Sequence, residues 1–391
     1  MKIGAVVCEY NPFHYGHQYQ ILEAKKTLGL DAVVGVMSGN FVQRGEPAVY
    51  PKALRAKAAI SGGVHLVLEL PAVLTLQSAE RYAASAVKTL DAMGCVDTLF
   101  FGAEDADITM LTQIAVALCA EDADFSAHLK AGLAQGMSYA AARSDAVQKV
   151  LGPASAAILC RPNNILAVEY IKALLRLKSR IKPAAIARRG AAHDAAEPDG
   201  IYASASILRE RIRKGESIAG YLPEDIEAIY RTAQPFLPCA MEKAQLANLA
   251  LMPADRLREI ADVSEGLENA LKRAVFTEDT LDLVIAAAKS KRYAYSRIRR
   301  IILNAYLGIT KADARREPCY IRILDFDETG RSVLHLAKKT ASLPLAKNGA
   351  QIQSDPAALA LWRREMTMDR LYQIFSPPIA KKDCIMPEKM V

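Results

Sequence analysis

The chain has no run of about 18 apolar residues, the least that spans a membrane as a helix, so no membrane partner is expected. It also has no C-x-x-C pair. The seven cysteines (Cys8, Cys95, Cys119, Cys160, Cys239, Cys319 and Cys384) are odd in number and far apart, which argues against a zinc ribbon or a redox dithiol and for reduced, mostly buried thiols. No G-x-x-x-x-G-K-[ST] occurs, which disfavours a P-loop enzyme. Low-complexity tracts and internal repeats are missing, and with 51% apolar and 24% charged residues the composition is that of a folded globular protein. The start holds one basic residue, Lys2, and a short apolar run that stops at Glu9, unlike the longer core of a secretory signal; a cytoplasmic protein is expected.

At 391 residues the chain exceeds one ordinary core, since domains hold roughly 100–200 residues, and two domains are expected, 1–215 and 216–391. The first hundred residues alternate short β-branched runs with amphipathic stretches, the pattern of βα units on a parallel sheet. Strands are expected at Ile3–Cys8, Ala32–Met37, Val64–Glu69 and Thr98–Phe101. Helices are expected at His17–Leu28, Lys52–Ser61 and Ser78–Met93, closed by Gly29, Gly62 and Gly94. Pro162 is placed to open a further helix, and Ala184–Ala203 reads as a loop returning to the sheet. From Glu224 to Leu307 the spacing is almost wholly helical; a late strand at Tyr320–Phe326 precedes helices at Gly330–Lys339 and Pro356–Phe375. The fold class is therefore α/β, a Rossmann-like parallel sheet followed by a mainly α-helical C-terminal domain.

The first strand runs into Glu9-Tyr10-Asn11-Pro12-Phe13-His14-Tyr15-Gly16-His17, which places His-x-Gly-His at a strand end and a helix start. Helix N-termini present free N–H groups and partial positive charge, and ligands collect at the carboxyl ends of parallel strands. Gly16 allows close approach of a phosphate, while His14 and His17 can donate to oxygens as charge develops. Two histidines at a turn could also merely cap a helix, but this location favours nucleotidyl or phosphoryl transfer, with His14 and His17 as the catalytic residues.

These residues, followed by Met37-Ser38-Gly39-Asn40-Phe41-Val42-Gln43-Arg44-Gly45-Glu46-Pro47-Ala48, resemble the bacterial tRNA(Met) cytidine acetate ligases. Ser61-Gly62-Gly63-Val64, Leu68-Glu69-Leu70-Pro71, Phe100-Phe101-Gly102-Ala103-Glu104, Pro162-Asn163-Asn164-Ile165-Leu166 and Lys291-Arg292-Tyr293 fall in the same order. The resemblance implies a HIGH-type nucleotidyltransferase fold and an enzyme that activates acetate with ATP as acetyl-adenylate. It would then acetylate the wobble cytidine of elongator tRNA(Met) to N4-acetylcytidine, with AMP and pyrophosphate as the other products. It further implies an ATP site formed by Val7-Cys8-Glu9-Tyr10-Asn11-Pro12-Phe13-His14-Tyr15-Gly16-His17-Gln18-Tyr19-Gln20 with Gly102, Asn163 and Arg188. Ala203-Ser204-Ala205-Ser206-Ile207-Leu208-Arg209 is similar to the element by which such enzymes grip β- and γ-phosphates, with Ser206 as helix cap and Arg209 within reach; two of its usual residues are replaced by alanine. Gly102 would let a base or ribose lie on the strand, the Asn40–Glu46 loop would close over the intermediate, and Lys52 and Arg55 would help neutralise phosphates. Mg2+ is expected with ATP, though no metal ligand is assigned.

The net charge of +7 is modest for this length, so its distribution matters more. Lys289, Lys291, Arg292, Arg297, Arg299 and Arg300 place six cations in twelve residues without an acid, interleaved with Tyr293 and Tyr295, a composition suited to an RNA backbone and stacked bases. Lys172, Arg176, Lys178, Arg180 and Lys182 form a second basic cluster. No protein partner is evident. Two other readings stay open: an enzyme transferring a nucleotide to a small phosphorylated metabolite, and a non-catalytic RNA-binding protein on the same fold.

Overall fold

The computed structural model describes residues 1–120, 122–189, 198–264, 266–290 and 293–377. The cations Lys291 and Arg292, the thiol of Cys384, and the part of the expected Ala184–Ala203 loop at 190–197 lie outside them.

The strands are β1 (Ile3–Cys8) and β2 (Ala32–Ser38), both Val-rich, a short hairpin of β3 (Phe41–Val42) and β4 (Glu46–Pro47), then β5 (Leu66–Leu70), β6 (Thr98–Ala103), β7 (Lys182–Ala187), β8 (Ile321–Phe326) and β9 (Leu345–Ala346). Seven of these make one sheet in the order β7-β6-β1-β2-β5-β8-β9. From β7 to β5 all neighbours are parallel; β8 joins β5 antiparallel. The Rossmann-like sheet is thus borne out, with one addition. The late strand expected among helices crosses back and extends the first sheet, so the C-terminal residues are helical from Glu224 to Leu307 and then share the sheet's core. Part of the Ala184–Ala203 stretch, read as a loop, is strand β7 pairing residue for residue with β6.

Both faces of the parallel strands are covered, as side-chain alternation requires of a buried sheet. Val34, Val36, Leu66 and Leu68 face Tyr82, Ala86 and Val87 of the Ala79–Met93 helix and Val168 and Ile171 of the Pro162–Leu177 helix. Val33, Met37, Val67 and Phe100 face Ile21, Leu54, Leu208 and Tyr230 on the other side. The final helix, Pro356–Phe375, packs on Phe41, Val73 and Leu76 and so clamps the hairpin region. Gly29 and Gly94 end their helices in the left-handed conformation at φ 61° and 68°. Gly62 does not; its φ is −78°, and what it supplies is space, because a Cβ there would lie 2.2 Å from Cζ of Phe13. The free cysteines are less uniformly buried than expected, since Cys160 and Cys239 are exposed. Among the described residues no helix is long and apolar enough to cross a membrane.

β1 is the middle one of the five parallel strands. From it the chain proceeds outward to β2 and β5, then crosses back to β6 on its other side, so that the connections leaving β1 and β6 diverge. Such a switch point opens a crevice at the carboxyl ends of the two strands, which is where Cys8 leads into the His14–His17 turn.

Candidate active site

Beyond β1 the chain turns sharply, with Tyr10 at φ 47° and a cis Asn11–Pro12 bond, and His14 becomes the N-cap of the Tyr15–Leu28 helix. The two histidines hold each other in place. The Gly16 N–H donates to Nδ1 of His14 at 3.0 Å, and the His14 N–H donates to Nδ1 of His17 at 3.3 Å. Each Nδ1 therefore accepts, and each ring keeps its proton on Nε2. The rings lie 3.7 Å apart between centroids. Burial, reinforced by the cations Arg188 and Arg209, lowers the His14 imidazole to about 3; burial with His14 and Arg188 nearby holds His17 well below its usual value. At neutral pH both are uncharged Nε2–H donors. Gly16 is needed for this arrangement, because a Cβ there would stand 2.9 Å from Cε1 of His14.

The switch-point crevice holds a cavity of about 180 Å3. Its floor is Val6–Asn11, and His17, Gln20, Gly102, Asn163, Arg188 and Arg209 converge on it. A narrower space of about 20 Å3 adjoins it through His17, Gln20, Gly102 and Arg188, and adds His14, Gly16, Tyr19 and Ser204. Gly102 leaves room for a flat group, since a Cβ would meet Cγ of Arg188 at 3.3 Å and Cδ of Gln20 at 3.5 Å. Arg209 is oriented by its Nη1, which donates to the Asn11 carbonyl at 3.1 Å, and by Glu46 at 3.7 Å from its Nε.

Most of the residues expected to bind ATP line these spaces, with five exceptions: Pro12, Phe13, Tyr15, Gln18 and Ser206. Phe13 is fully buried beneath Gly62, its N–H donating to the Tyr230 hydroxyl at 3.1 Å. The cap expected of Ser206 belongs to Ser204, whose Oγ accepts from the Ile207 N–H at 3.3 Å while Ser206 Oγ lies 2.9 Å from it. Asn163 is not a cap either. Glu104 from the end of β6 takes that role for the Pro162–Leu177 helix, accepting from Nδ2 of Asn163 at 2.6 Å and from the Asn164 N–H at 3.0 Å. The neighbouring Asn164 is fully buried and turned to Asp105, so Asn163 is the one facing the cavity.

The Asn40–Glu46 loop does reach the cavity, through Gln43 and Arg44, with the Gln43 N–H donating to Glu9 at 2.8 Å. Lys52 and Arg55 do not. Arg55 is wholly buried and donates to the carbonyls of Tyr50, Glu9, Ser38 and Gly39, stitching the strand ends together. Lys52 bonds Glu69 at 2.6 Å and Asp369 at 2.5 Å inside the protein. Arg322 joins them from β8, 2.9 Å from Glu69 and stacked on Trp362. Glu365 completes a group in which Glu69, Glu365 and Asp369 all bring a carboxylate oxygen within 4.8 Å of one another. Burial and the neighbouring Glu69 and Asp369 push the Glu365 carboxyl up to about 8, so Glu365 keeps its proton at neutral pH, while Lys52 and Arg322 face Glu69 and Asp369. Lys52 and Arg322 thus occupy the role a metal would otherwise fill.

Sequence inspection missed Tyr82, Phe101, Leu166 and Tyr170, which wall the cavity. Each stands at a core-like position of a helix or strand, so periodicity alone cannot separate them from ordinary packing.

The Lys289–Arg300 stretch also folds differently from its composition. Arg299 is paired with Glu46 at 3.3 Å and Glu242 at 3.2 Å, Arg300 is buried against Asp262 at 3.2 Å, and Arg297 donates to the Asp262 carbonyl and Ser264. The stretch lacks acids in sequence but not in space; of its described cations, Lys289 alone is exposed. A Cβ on Gly45 would come within 2.6 Å of the Arg300 backbone nitrogen, so the hairpin tip rests directly on this helix.

A parallel sheet with His-x-Gly-His at its switch point, neutral imidazole donors and converging arginines defines a nucleotidyltransferase. The HIGH Nucleotidyl Transferase family model matches residues 1–384, and the chain belongs to that family. Within it, the chain is 38% identical over 384 residues to the tRNA(Met) cytidine acetate ligase of Caldanaerobacter subterraneus subsp. tengcongensis, covering 96% of this chain and 95% of that protein. The ligase of the same name from Thermoanaerobacter sp. strain X514 is 36% identical over 382 residues, covering 96% and 95%. Crystal structures of Thermotoga maritima TmcAL superpose over 98% of this chain and 97% of that one: the apo form with a TM-score of 0.93 at 32% identity, and a form bound with alpha-thio ATP with 0.90 at 33% identity.

Proposed function

We propose that the protein is an ATP-dependent ligase that acetylates the wobble cytidine of elongator tRNA(Met) in the cytoplasm, with acetate as the acyl donor. The observation that carries this reading is the pair of neutral, mutually oriented histidines at a switch-point cavity, in a chain collinear with ligases of that name. An acetate oxygen attacks the α-phosphorus of ATP, the bond to pyrophosphate breaks, and acetyl-adenylate forms. The cytidine N4 amine then attacks the acetyl carbon, the bond to AMP breaks, and the amine loses a proton.

In the first step charge gathers on the α-phosphate and on the departing pyrophosphate. His14 and His17 donate Nε2–H to these oxygens, and Arg188 and Arg209 supply positive charge that ionic conditions near neutrality cannot remove. Gly102 lets the nucleoside lie on β6, and Asn163 is held by Glu104 to address it. Tyr82, Phe101, Leu166 and Tyr170 bound the remaining space, which suits a small acyl group. Mg2+ binds through substrate phosphates and one or two carboxylates, and Glu9 is the one carboxylate among the residues lining the larger cavity. Glu9 would hold it, and the ion would neutralise phosphate charge. Residues 1–215 carry the nucleotide chemistry in this reading, and 216–391 contribute to RNA contact.

The test is to incubate the protein with ATP and labelled acetate, with and without unmodified tRNA(Met), and follow pyrophosphate, AMP and acetylated cytidine. AMP formation indifferent to acetate would overturn the reading. Transfer of AMP to a phosphorylated metabolite in its place would establish the small-metabolite alternative.

A further inference from the structure

The reaction proposed above needs a polynucleotide with one base at the cavity, and its flanking phosphates must meet cations on the protein. The Tyr295–Leu307 helix turns Arg297, Arg299 and Arg300 inward, toward Asp262, Ser264, Glu46 and Glu242. Another part of the surface is better suited. A depression of about 200 Å3 lies between the Ala79–Met93 helix, the Pro162–Leu177 helix and the Ala314–Pro318 segment. Six cationic residues border it (Arg81, Lys88, Lys172, Arg176, Arg315 and Arg316), against Glu80, Glu169 and Glu317.

The cations form two layers. In the inner one Lys172 is buried between Glu80 at 3.1 Å and Glu169 at 2.8 Å, and Arg176 reaches Glu80 at 2.6 Å. These charges compensate one another and make a rigid floor. The outer layer is less committed. Arg81 donates to the Ala314 carbonyl at 2.7 Å and has no carboxylate partner among the described residues. Arg315 is exposed and unpaired among them. Lys88 pairs with Glu317, but that glutamate side chain is 70% exposed, and a solvated pair of this kind gives way to a phosphate at little cost. The rim is therefore cationic in excess, and its charges are free to turn outward.

Its position fits the reaction. The two helices that wall the depression also wall the cavity, through Tyr82 and Tyr170. Tyr82 to Lys88 and Tyr170 to Arg176 are each six residues along a helix, about 9 Å at ~1.5 Å per residue. That is roughly three base rises of ~3.4 Å, the reach of a strand continuing from a base held in the cavity.

We propose that this depression is a phosphate-binding site for the RNA substrate, in which Arg81, Lys88 and Arg315 receive backbone phosphates of nucleotides adjoining the base to be modified. The proposal rests on the RNA-acetylation reading and is separable from it by experiment. Affinity for an unmodified tRNA(Met) transcript is measured at several salt concentrations for the full chain and for the triple variant Arg81→Gln/Lys88→Gln/Arg315→Gln. A double variant, Lys88→Glu/Arg315→Glu, leaves the Arg81 to Ala314 bond intact and guards against loss of folding. RNA-independent, acetate-dependent pyrophosphate exchange and ATP affinity are read alongside.

The expected result is RNA binding weakened roughly tenfold or more, with the slope of log affinity against log salt reduced by about 2 in the triple variant, and exchange and ATP affinity unchanged. Unaltered RNA affinity and salt slope would overturn the proposal. So would weakened ATP binding with RNA affinity intact, since the depression would then serve nucleotide phosphates. If the unsubstituted protein binds tRNA but performs no exchange, the acetate reading falls, while the loss of binding in the variants still supports the site.

Discussion

The switch-point cavity and the Lys52–Asp369 cluster are made of similar charged residues, and the Asn40–Pro47 hairpin touches both. Gln43 and Arg44 line the cavity, while Asn40 donates to Asp369 at 2.8 Å and accepts from the Lys52 N–H at 2.9 Å. In the cluster every charge is answered within the protein: Lys52 and Arg322 are sealed against Glu69 and Asp369, and Glu365 resolves the imbalance by keeping its proton. In the cavity, by contrast, the His14 and His17 Nδ1 atoms are bound to backbone and Nε2 is left for a ligand, with Arg188 and Arg209 converging on the same space. A charge close to a motif in sequence is thus no guide to its role. Lys52 and Arg55 follow the loop closely and are structural, whereas Arg188 and Arg209 come from far along the chain and face the site.

The sharpest challenge to this contrast is Lys52→Met, which removes one of the two cations that face Glu69 and Asp369 in the interior and leaves Arg322 against both. We expect about 3–5 kcal/mol lost in urea unfolding, with ATP affinity per folded molecule unchanged. Unchanged stability with lost activity would move Lys52 into the active site. Next, His17→Ala and His14→Asn should each slow acetate-dependent pyrophosphate release by roughly 10²–10³-fold, the cost of removing one preorganised donor. Asparagine retains an acceptor for the helix cap, so melting temperature should hardly move in that variant. Equal losses in tRNA affinity would contradict the division between chemistry and RNA contact.

A smaller effect is expected at Arg297→Gln, which gives up bonds to the Asp262 carbonyl and Ser264. Stability should fall by about 1.5–3 kcal/mol while the salt dependence of tRNA binding stays as it was. A changed salt slope would return this arginine to the RNA surface. The last effect concerns pH. Glu365 keeps its proton in the folded chain up to about 8 but sheds it near 4.5 when unfolded, so between those values the folded state binds more protons. Its contribution to stability is complete below the unfolded value and is lost as pH rises toward 8. The urea midpoint should be lower at pH 9 than at pH 6, and Glu365→Gln should flatten that difference; a slope unchanged in the variant would place its origin elsewhere.

Much of this arrangement could be read from the chain beforehand, for local reasons. β1, the Lys52–Ser61 helix and the Pro356–Phe375 helix fall where periodicity and end signals put them, since a helix or strand is specified by its own few turns. The His14–His17 turn was legible because motif and element boundary coincide. What escaped depends on partners distant in sequence. Ser204 and Ser206 are equally good caps by composition, and only the folded backbone, extended at Ser204 with φ −72° and ψ 151°, selects Ser204. Glu104 caps a helix that begins 58 residues later in sequence, through contacts no window could reveal. Tyr82 and Tyr170 look like core residues and are core residues, except that the crevice between β1 and β6 opens beside them.

By itself the sequence determined the parallel sheet, the position of its His-x-Gly-His turn and the two imidazoles that meet there, because these rest on alternation, periodicity and neighbours a few residues apart. The tertiary structure decided which charges face solvent and which face one another. That choice rests on desolvation: a buried Lys52 or Arg300 is tolerable only where a carboxylate from another element comes within bonding distance, and such meetings follow from how the sheet, the hairpin and the last helix pack.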